Sequence, residues 1–170
     1  MERIKSFTVD HMTLLPGVYV SREDRISYDD AFGVTAGDGE KENISEKGAY
    51  PVTTYDIRMT RPNFEPVMGT GEIHAIEHLG ATYLRNREDI KSRVIYWGPM
   101  GCRTGFYLIL SGAPDLLGVT ELMVELYSFI ASFQGDIPGA SPEECGNYSD
   151  MDPQGARERA AKYLEVLKAL

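Results

Sequence analysis

Two histidines four residues apart enclose a glutamate in His74-Ala-Ile-Glu-His78. On a helix this spacing sets both imidazoles on one face, one turn apart, where they can grip a single metal ion. Glu77 stands beside them without needing to be a ligand, which is the place of an acid/base working next to a metal. The bland alternative is a core helix whose histidines only satisfy internal hydrogen bonds. The chain has 3 histidines, and two of them sit at metal spacing around a carboxylate, so the metal reading is the better one. Two protein ligands leave a site incomplete, and the candidates for a third are His11, Cys102 and Cys145. Cys145 lies in Glu144-Cys-Gly-Asn147, where the glycine lets the backbone approach closely. Cys102 is followed by Arg103, whose charge favours a thiolate and hence an acid/base or a nucleophile. Either cysteine could instead be a small buried hydrophobe, as most free cysteines are. Spacing leaves the roles of ligand and base open between them. A Cys102–Cys145 disulfide is disfavoured for a chain of this size in a reducing compartment.

The elements that must position these groups can be read from periodicity. Glu72 to Arg85 holds helix formers with apolar residues at 73, 76, 79, 83 and 84, a half-buried helix that carries the two histidines. Val52 to Met59 alternates most clearly at Tyr55, Ile57 and Met59, a strand whose other face presents Asp56 and Arg58. Arg93 to Trp97 and Thr104 to Ser111 read as two further strands, joined by the turn-like Gly98 to Arg103, so that Cys102 stands at the mouth of a strand. Pro114 opens an amphipathic helix that Gly135 ends, and Asp152-Pro153 caps a last helix. Before Pro16-Gly17, which is a turn signal, a short strand or extended arm is expected. Ser21 to Pro51 has eight acidic residues, four glycines and no sustained period, and predicts a mobile loop or solvent-exposed hairpin. Helices interspersed with hairpin-compatible strands argue for an α+β fold, a mainly antiparallel sheet with helices packed on one face.

Composition narrows the function classes. A chain of 170 residues suits a single domain, 1–170, with the mobile extension at about 21–51. Hydrophobic residues at 42% and charged residues at 25% describe a globular chain rather than a disordered one. A formal net charge of -9, without a basic patch, argues against a nucleic-acid partner. No apolar run approaches the roughly 20 residues of a membrane span. Glu2, Arg3, Lys5 and Asp10 interrupt the opening residues, so no signal peptide or anchor is readable and the cytoplasm is the expected location.

Taken together, His74 to His78, Gly98-Pro-Met-Gly-Cys-Arg-Thr-Gly-Phe-Tyr107, Glu144 to Asn147 and Ser6-Phe-Thr-Val-Asp-His11 resemble the LuxS family of S-ribosylhomocysteine lyases. H-x-x-E-H alone also marks inverted zinc peptidases, but four motifs in register are specific. The resemblance implies a metal held by His74, His78 and Cys145, with Cys102 and Glu77 as the two acid/base groups. It implies substrate contacts from Ser6, His11 and Arg58, and a homodimer in which these three reach the partner's metal centre. The implied cofactor is one divalent metal per subunit, usually ferrous iron in the family, with zinc or cobalt as replacements; softness alone suits iron and zinc equally. The implied reaction moves the carbonyl of S-ribosylhomocysteine from C1 to C3 and then eliminates homocysteine from C5, leaving 4,5-dihydroxy-2,3-pentanedione, a precursor of a quorum-sensing signal. No organic cofactor is required. Two departures stand out: the stretch from Val20 to Thr53 exceeds that of short members, and Tyr96 replaces the acidic residue that many members carry six positions before the cysteine.

Two rival readings remain at this stage. A peptidase would use the same His74, Glu77 and His78, but with a carboxylate as third ligand and a longer chain around its cleft. A structural zinc site would need a fourth protein ligand, from His11 or Cys102.

Overall fold

The computed structural model describes residues 9–27 and 49–170. Four strands form one antiparallel sheet: β1 (Gly17–Ser27), β2 (Ala49–Arg58), β3 (Val94–Pro99) and β4 (Gly105–Ser111), in the order β1-β2-β4-β3. Three helices, α1 (Thr70–Asn86), α2 (Leu116–Ser132) and α3 (Pro153–Leu167), pack on one another and against the sheet. The α+β architecture expected from the sequence is therefore present, and His74 and His78 lie on α1.

Strand alternation builds the core. Tyr55 and Ile57 of β2 and Phe106, Leu108 and Leu110 of β4 are fully buried on the helical side. Each such side chain contributes about 1.5–3 kcal/mol by leaving water. The opposite side of β2 carries Thr54, Asp56 and Arg58, which the alternation places away from the helices. These polar residues are also buried, so that face is not a simple solvated one.

Local chemistry sets the helix ends. Asp115 caps α2 by accepting from the Gly118 amide at 2.8 Å, and Asp152 caps α3 from the Gly155 amide at 2.9 Å, with Pro153 in the first turn. Helix α1 has no side-chain N-cap; its Glu72 carboxylate reaches back to the Gly69 amide at 2.8 Å and also accepts from Arg159 Nε at 2.9 Å. One carboxylate thus terminates α1 and ties it to α3. Gly80 lets α1 close on β3, since a Cβ there would come within 2.4 Å of Trp97 Nε1. Trp97 itself stacks on Phe106 with centroids 4.8 Å apart.

Boundaries differ from the periodicity in two places. Pro16-Gly17 opens β1, and among the described residues 9–16 no strand precedes it. The two ends of the 21–51 stretch are strand: residues 21–27 complete β1 and 49–51 begin β2, and the two pair as far as Ser27 and Ala49. Residues 28–48 of that stretch lie outside the described residues, as does Ser6. Among the described residues no helix is long and apolar enough to cross a membrane.

Candidate metal centre and its cysteine cluster

Helix α1 presents His74, Glu77 and His78 along its half-buried margin, beside the buried Ile73, Ala75, Ile76 and Leu79. The residues that follow α2 bring Cys145 to them. The donor atoms of His74, His78 and Cys145 all lie within 4.8 Å of one another, and Cys145 Sγ is 3.3 Å from His74 Nε2. A tetrahedral ion with bonds of about 2.0–2.3 Å separates its ligand atoms by about 3.3–3.8 Å, so the cluster needs only a small contraction to hold one.

The surroundings favour the same reading. His78 Nδ1 lies 2.9 Å from the Pro138 carbonyl, which can only accept, so Nδ1 carries the proton and Nε2 keeps its lone pair for a metal. Gly139 makes that approach possible: its φ is +77°, and a Cβ there would stand 2.9 Å from His78 Nδ1. His74 has Nδ1 at 4.0 Å from Asp150, a carboxylate placed behind the ring. The two imidazoles meet edge to face with centroids 5.0 Å apart. Two imidazoles and a thiolate form a donor set that suits a divalent transition metal.

A second cluster surrounds Cys102, which is exposed in the turn between β3 and β4. Arg58 lies beneath it at 2% exposure. The guanidinium grips Asp56 in a fork, Nε to Oδ1 at 3.0 Å and Nη2 to Oδ2 at 2.5 Å. Its remaining nitrogen, Nη1, donates to Thr104 Oγ1 at 2.5 Å and stands 3.8 Å from Cys102 Sγ. Thr104 Oγ1 is in turn 3.0 Å from Cys102 Sγ. That hydroxyl accepts from the guanidinium and still has its hydrogen and a second lone pair, so it can donate to the sulfur or accept from it. Burial would lower the Arg58 pKa, but the Asp56 carboxylate and the Cys102 sulfur carry it above its ordinary value. The cation that serves Cys102 is therefore Arg58, 44 residues distant in sequence, rather than the adjacent Arg103. Arg103 is exposed and adopts a left-handed φ of 60° in the turn.

His11, with Nδ1 3.0 Å from the Val9 carbonyl, lines a cavity of about 340 Å³ together with Cys102 and Thr104 of its own chain. Tyr107 and Tyr19 flank the Arg58–Asp56 pair. Burial first, and the Asp56 charge second, raise both phenols above their ordinary pKa.

The structure thus gathers the residues singled out in the sequence into two groups, His74–Glu77–His78–Cys145 and His11–Arg58–Cys102. Among the described residues no side-chain hydrogen bond or ion pair joins one group to the other. Thr104, Pro138, Gly139 and Asp150 are the participants that sequence reasoning passed over, and Asp56, placed on one face with Arg58, was given no role. Asp56 carried a signal, since i and i+2 on a strand share a face; a backbone carbonyl such as that of Pro138 carries none.

Residues 39–169 match the family model of S-ribosylhomocysteinase (LuxS). The chain belongs to the LuxS family. It is 52% identical over 164 residues to the S-ribosylhomocysteine lyase of Clostridium beijerinckii, covering 96% of this chain and 90% of that protein. It is 48% identical over 167 residues to the S-ribosylhomocysteine lyase of Clostridium acetobutylicum, and 47% identical over 167 residues to that of Finegoldia magna. Each of those two alignments covers 98% of this chain and 92% of the relative.

Proposed function

We propose that this protein is a metal-dependent carbon–sulfur lyase that cleaves S-ribosylhomocysteine to homocysteine and 4,5-dihydroxy-2,3-pentanedione. The observation that carries the reading is the pairing of an imidazole–imidazole–thiolate cluster on α1 with a second, cation-supported cysteine, in a chain of this family. A peptidase reading has no use for the second cysteine or for the thiolate donor.

The thioether sulfur is a poor leaving group until a ketone stands at C3, where it acidifies the proton on C4 and permits loss of the sulfur from C5. His74, His78 and Cys145 are the residues that would hold one divalent ion per subunit, ferrous iron in the active enzyme, and such an ion supplies Lewis-acid polarisation of the sugar carbonyl. Cys102, beside the Arg58 guanidinium and the Thr104 hydroxyl, acts as thiolate to remove a proton from one sugar carbon and return it to the next. Glu77, one helical turn from His74 on the same margin of α1, exchanges protons among the sugar oxygens and takes the one from C4. Each carbonyl shift is an isomerisation. In the last step the C4 proton goes to the base, the C4–H electron pair becomes the C4=C5 double bond, and the C5–S bond breaks with its pair on sulfur. Homocysteine thiolate is released with an enol that tautomerises to the diketone. No oxidant or organic cofactor enters the balance. Ser6 and His11 act as substrate contacts. Arg58, buried against Asp56, acts through Cys102.

The working form is a homodimer in the cytoplasm whose sites are shared between subunits. His11 and Arg58 keep company with Cys102 in one chain, so a site that borrows the first two from a partner borrows Cys102 as well. The reading is tested with anaerobically purified protein, assayed for metal and for thiol release from S-ribosylhomocysteine. Stoichiometric metal with homocysteine release supports it; a metal-loaded protein that releases no thiol refutes it.

A further inference from the structure

Proton transfer by Cys102 asks two opposite things of the groups around its sulfur. Taking a proton from a sugar carbon turns the thiolate into a thiol and leaves the C–H electron pair on the substrate. Giving that proton to the next carbon restores the thiolate. A partner that serves both forms must donate to one and accept from the other. The guanidinium of Arg58 has no acceptor, so it can serve only the thiolate. It is also the more distant partner: Nη1 stands 3.8 Å from Cys102 Sγ, with Nε and Nη2 committed to Asp56.

The Thr104 hydroxyl meets both demands. It lies 3.0 Å from Cys102 Sγ, nearer than the cation. Its oxygen accepts from Arg58 Nη1 at 2.5 Å, which uses one lone pair and leaves the other, with the hydrogen, for the sulfur. Thr104 is 3% exposed, so water has little access to that hydroxyl. The main chain fixes its position, because the Thr104 carbonyl accepts from the Met59 amide at 2.9 Å and the Thr60 amide at 3.1 Å. Gly105 allows this close seam, since a Cβ there would come within 2.2 Å of the Ile57 carbonyl oxygen. The hydroxyl is therefore held at the junction of β2 and β4 whichever form the sulfur takes.

We propose that the Thr104 hydroxyl is a two-way positioning group for Cys102, donating to its thiolate and accepting from its thiol, so that the sulfur stays aimed through both halves of each proton transfer. The inference rests on the proposed lyase reading and adds a residue to the two acid/base groups of that reading.

The charged and titratable groups about Cys102 are Arg58 and Asp56 on β2, Tyr107 on β4, Arg103 in the turn, and His11 and Glu65 around the shared cavity. Thr104→Val keeps all of them and the branched shape of the side chain, so its effects trace to the hydroxyl. Alkylation of Cys102 by iodoacetamide is followed against pH in the protein as purified, with the two cysteines told apart by peptide mass. Thr104→Val should move the profile about one unit to higher pH, as loss of one charge-assisted hydrogen bond to a thiolate should. Thr104→Ser should restore it. In turnover, Thr104→Val should lower kcat for homocysteine release about 10- to 100-fold with KM and metal content unchanged, and Thr104→Ser should recover most of that loss. Should Thr104→Val fail to fold, Thr104→Ala carries the same expectations. A hydroxyl that only satisfies Arg58 would lower the melting temperature in Thr104→Val and leave the alkylation profile where it was. That result beside a working wild type overturns the inference alone, as does a profile moved as far in Thr104→Ser as in Thr104→Val. A wild type that releases no homocysteine overturns the lyase reading and, with it, the role of Thr104 in turnover.

Discussion

Each cysteine has a different neighbour, and that difference is chemical. Cys145 faces an imidazole nitrogen, whereas Cys102 faces a hydroxyl and a guanidinium. Cys145→Ala should therefore lose the metal, since two remaining ligands cannot hold a site with an open position, while Cys102→Ala should keep it and lose turnover. Metal analysis beside the thiol assay checks both, and the reverse pattern would exchange their roles. Asp56 is the residue on which Cys102 depends at one remove. Asp56→Ala leaves Arg58 buried without its counter-charge, and breaking such a pair costs about 3–5 kcal/mol; a denaturant titration should show that loss. The two histidines, both cysteines and Glu77 could be found in the sequence because residue type and helical spacing are local signals. The service of Arg58 to Cys102 could not, because sequence adjacency pointed to Arg103 and only the pairing of β2 with β4 brings Arg58 to the turn.

At the scale of elements, what positions the candidate metal ligands is largely glycine and backbone. Gly139→Ala would combine a strained left-handed φ with a Cβ pressing on His78 Nδ1. Removing the Pro138 carbonyl from His78 is expected to weaken metal affinity about 10- to 100-fold with little change in secondary structure, as losses behind a ligand do. Competition with a chelator measures it. The contact of Glu65 with Lys162 at 2.7 Å fastens the segment before α1 to α3. That hydrogen bond, with the Arg61 amide, holds the Glu65 carboxyl below its ordinary 4.5. Its stabilisation is complete above the ordinary glutamate range and is lost as pH falls through the lowered value. Lys162→Met should therefore cost a few tenths of a kcal/mol at neutral pH, as exposed pairs do, and that cost should vanish as the pH falls through the lowered value. Most elements were legible from periodicity and capping residues, α1 and α3 closely so. In the 21–51 stretch the hairpin alternative was legible but the strand limits were not, because β1 and β2 lengthen there by pairing with each other, and such mutual support leaves no period in an acidic segment.

For the whole molecule, the grouping of residues decides how subunits can complement one another. If the metal centre of one chain works with the Cys102 group of another, Cys102→Ala and Glu77→Gln homodimers are each inactive, and their heterodimer regains one intact site. His11→Ala mixed with Cys102→Ala should stay inactive, because both residues line one cavity of one chain. Recovery in the second mixture and not in the first would place Cys102 with the metal of its own subunit. Symmetric dimers make such shared sites occur in pairs.

Tyr163 of α3 donates to the carbonyl of Gly17 at 2.7 Å, across 146 residues of chain. During synthesis β1 leaves the ribosome long before α3 exists, so the first strand of the sheet waits for residues 153–167 before its buried side is covered. Cys145 is likewise made 71 residues after His74. If this cluster takes a metal as proposed, its capture is a late event in the life of the nascent chain, and a ribosome stalled between residues 78 and 145 would carry both histidines yet lack the third of the three candidate ligands.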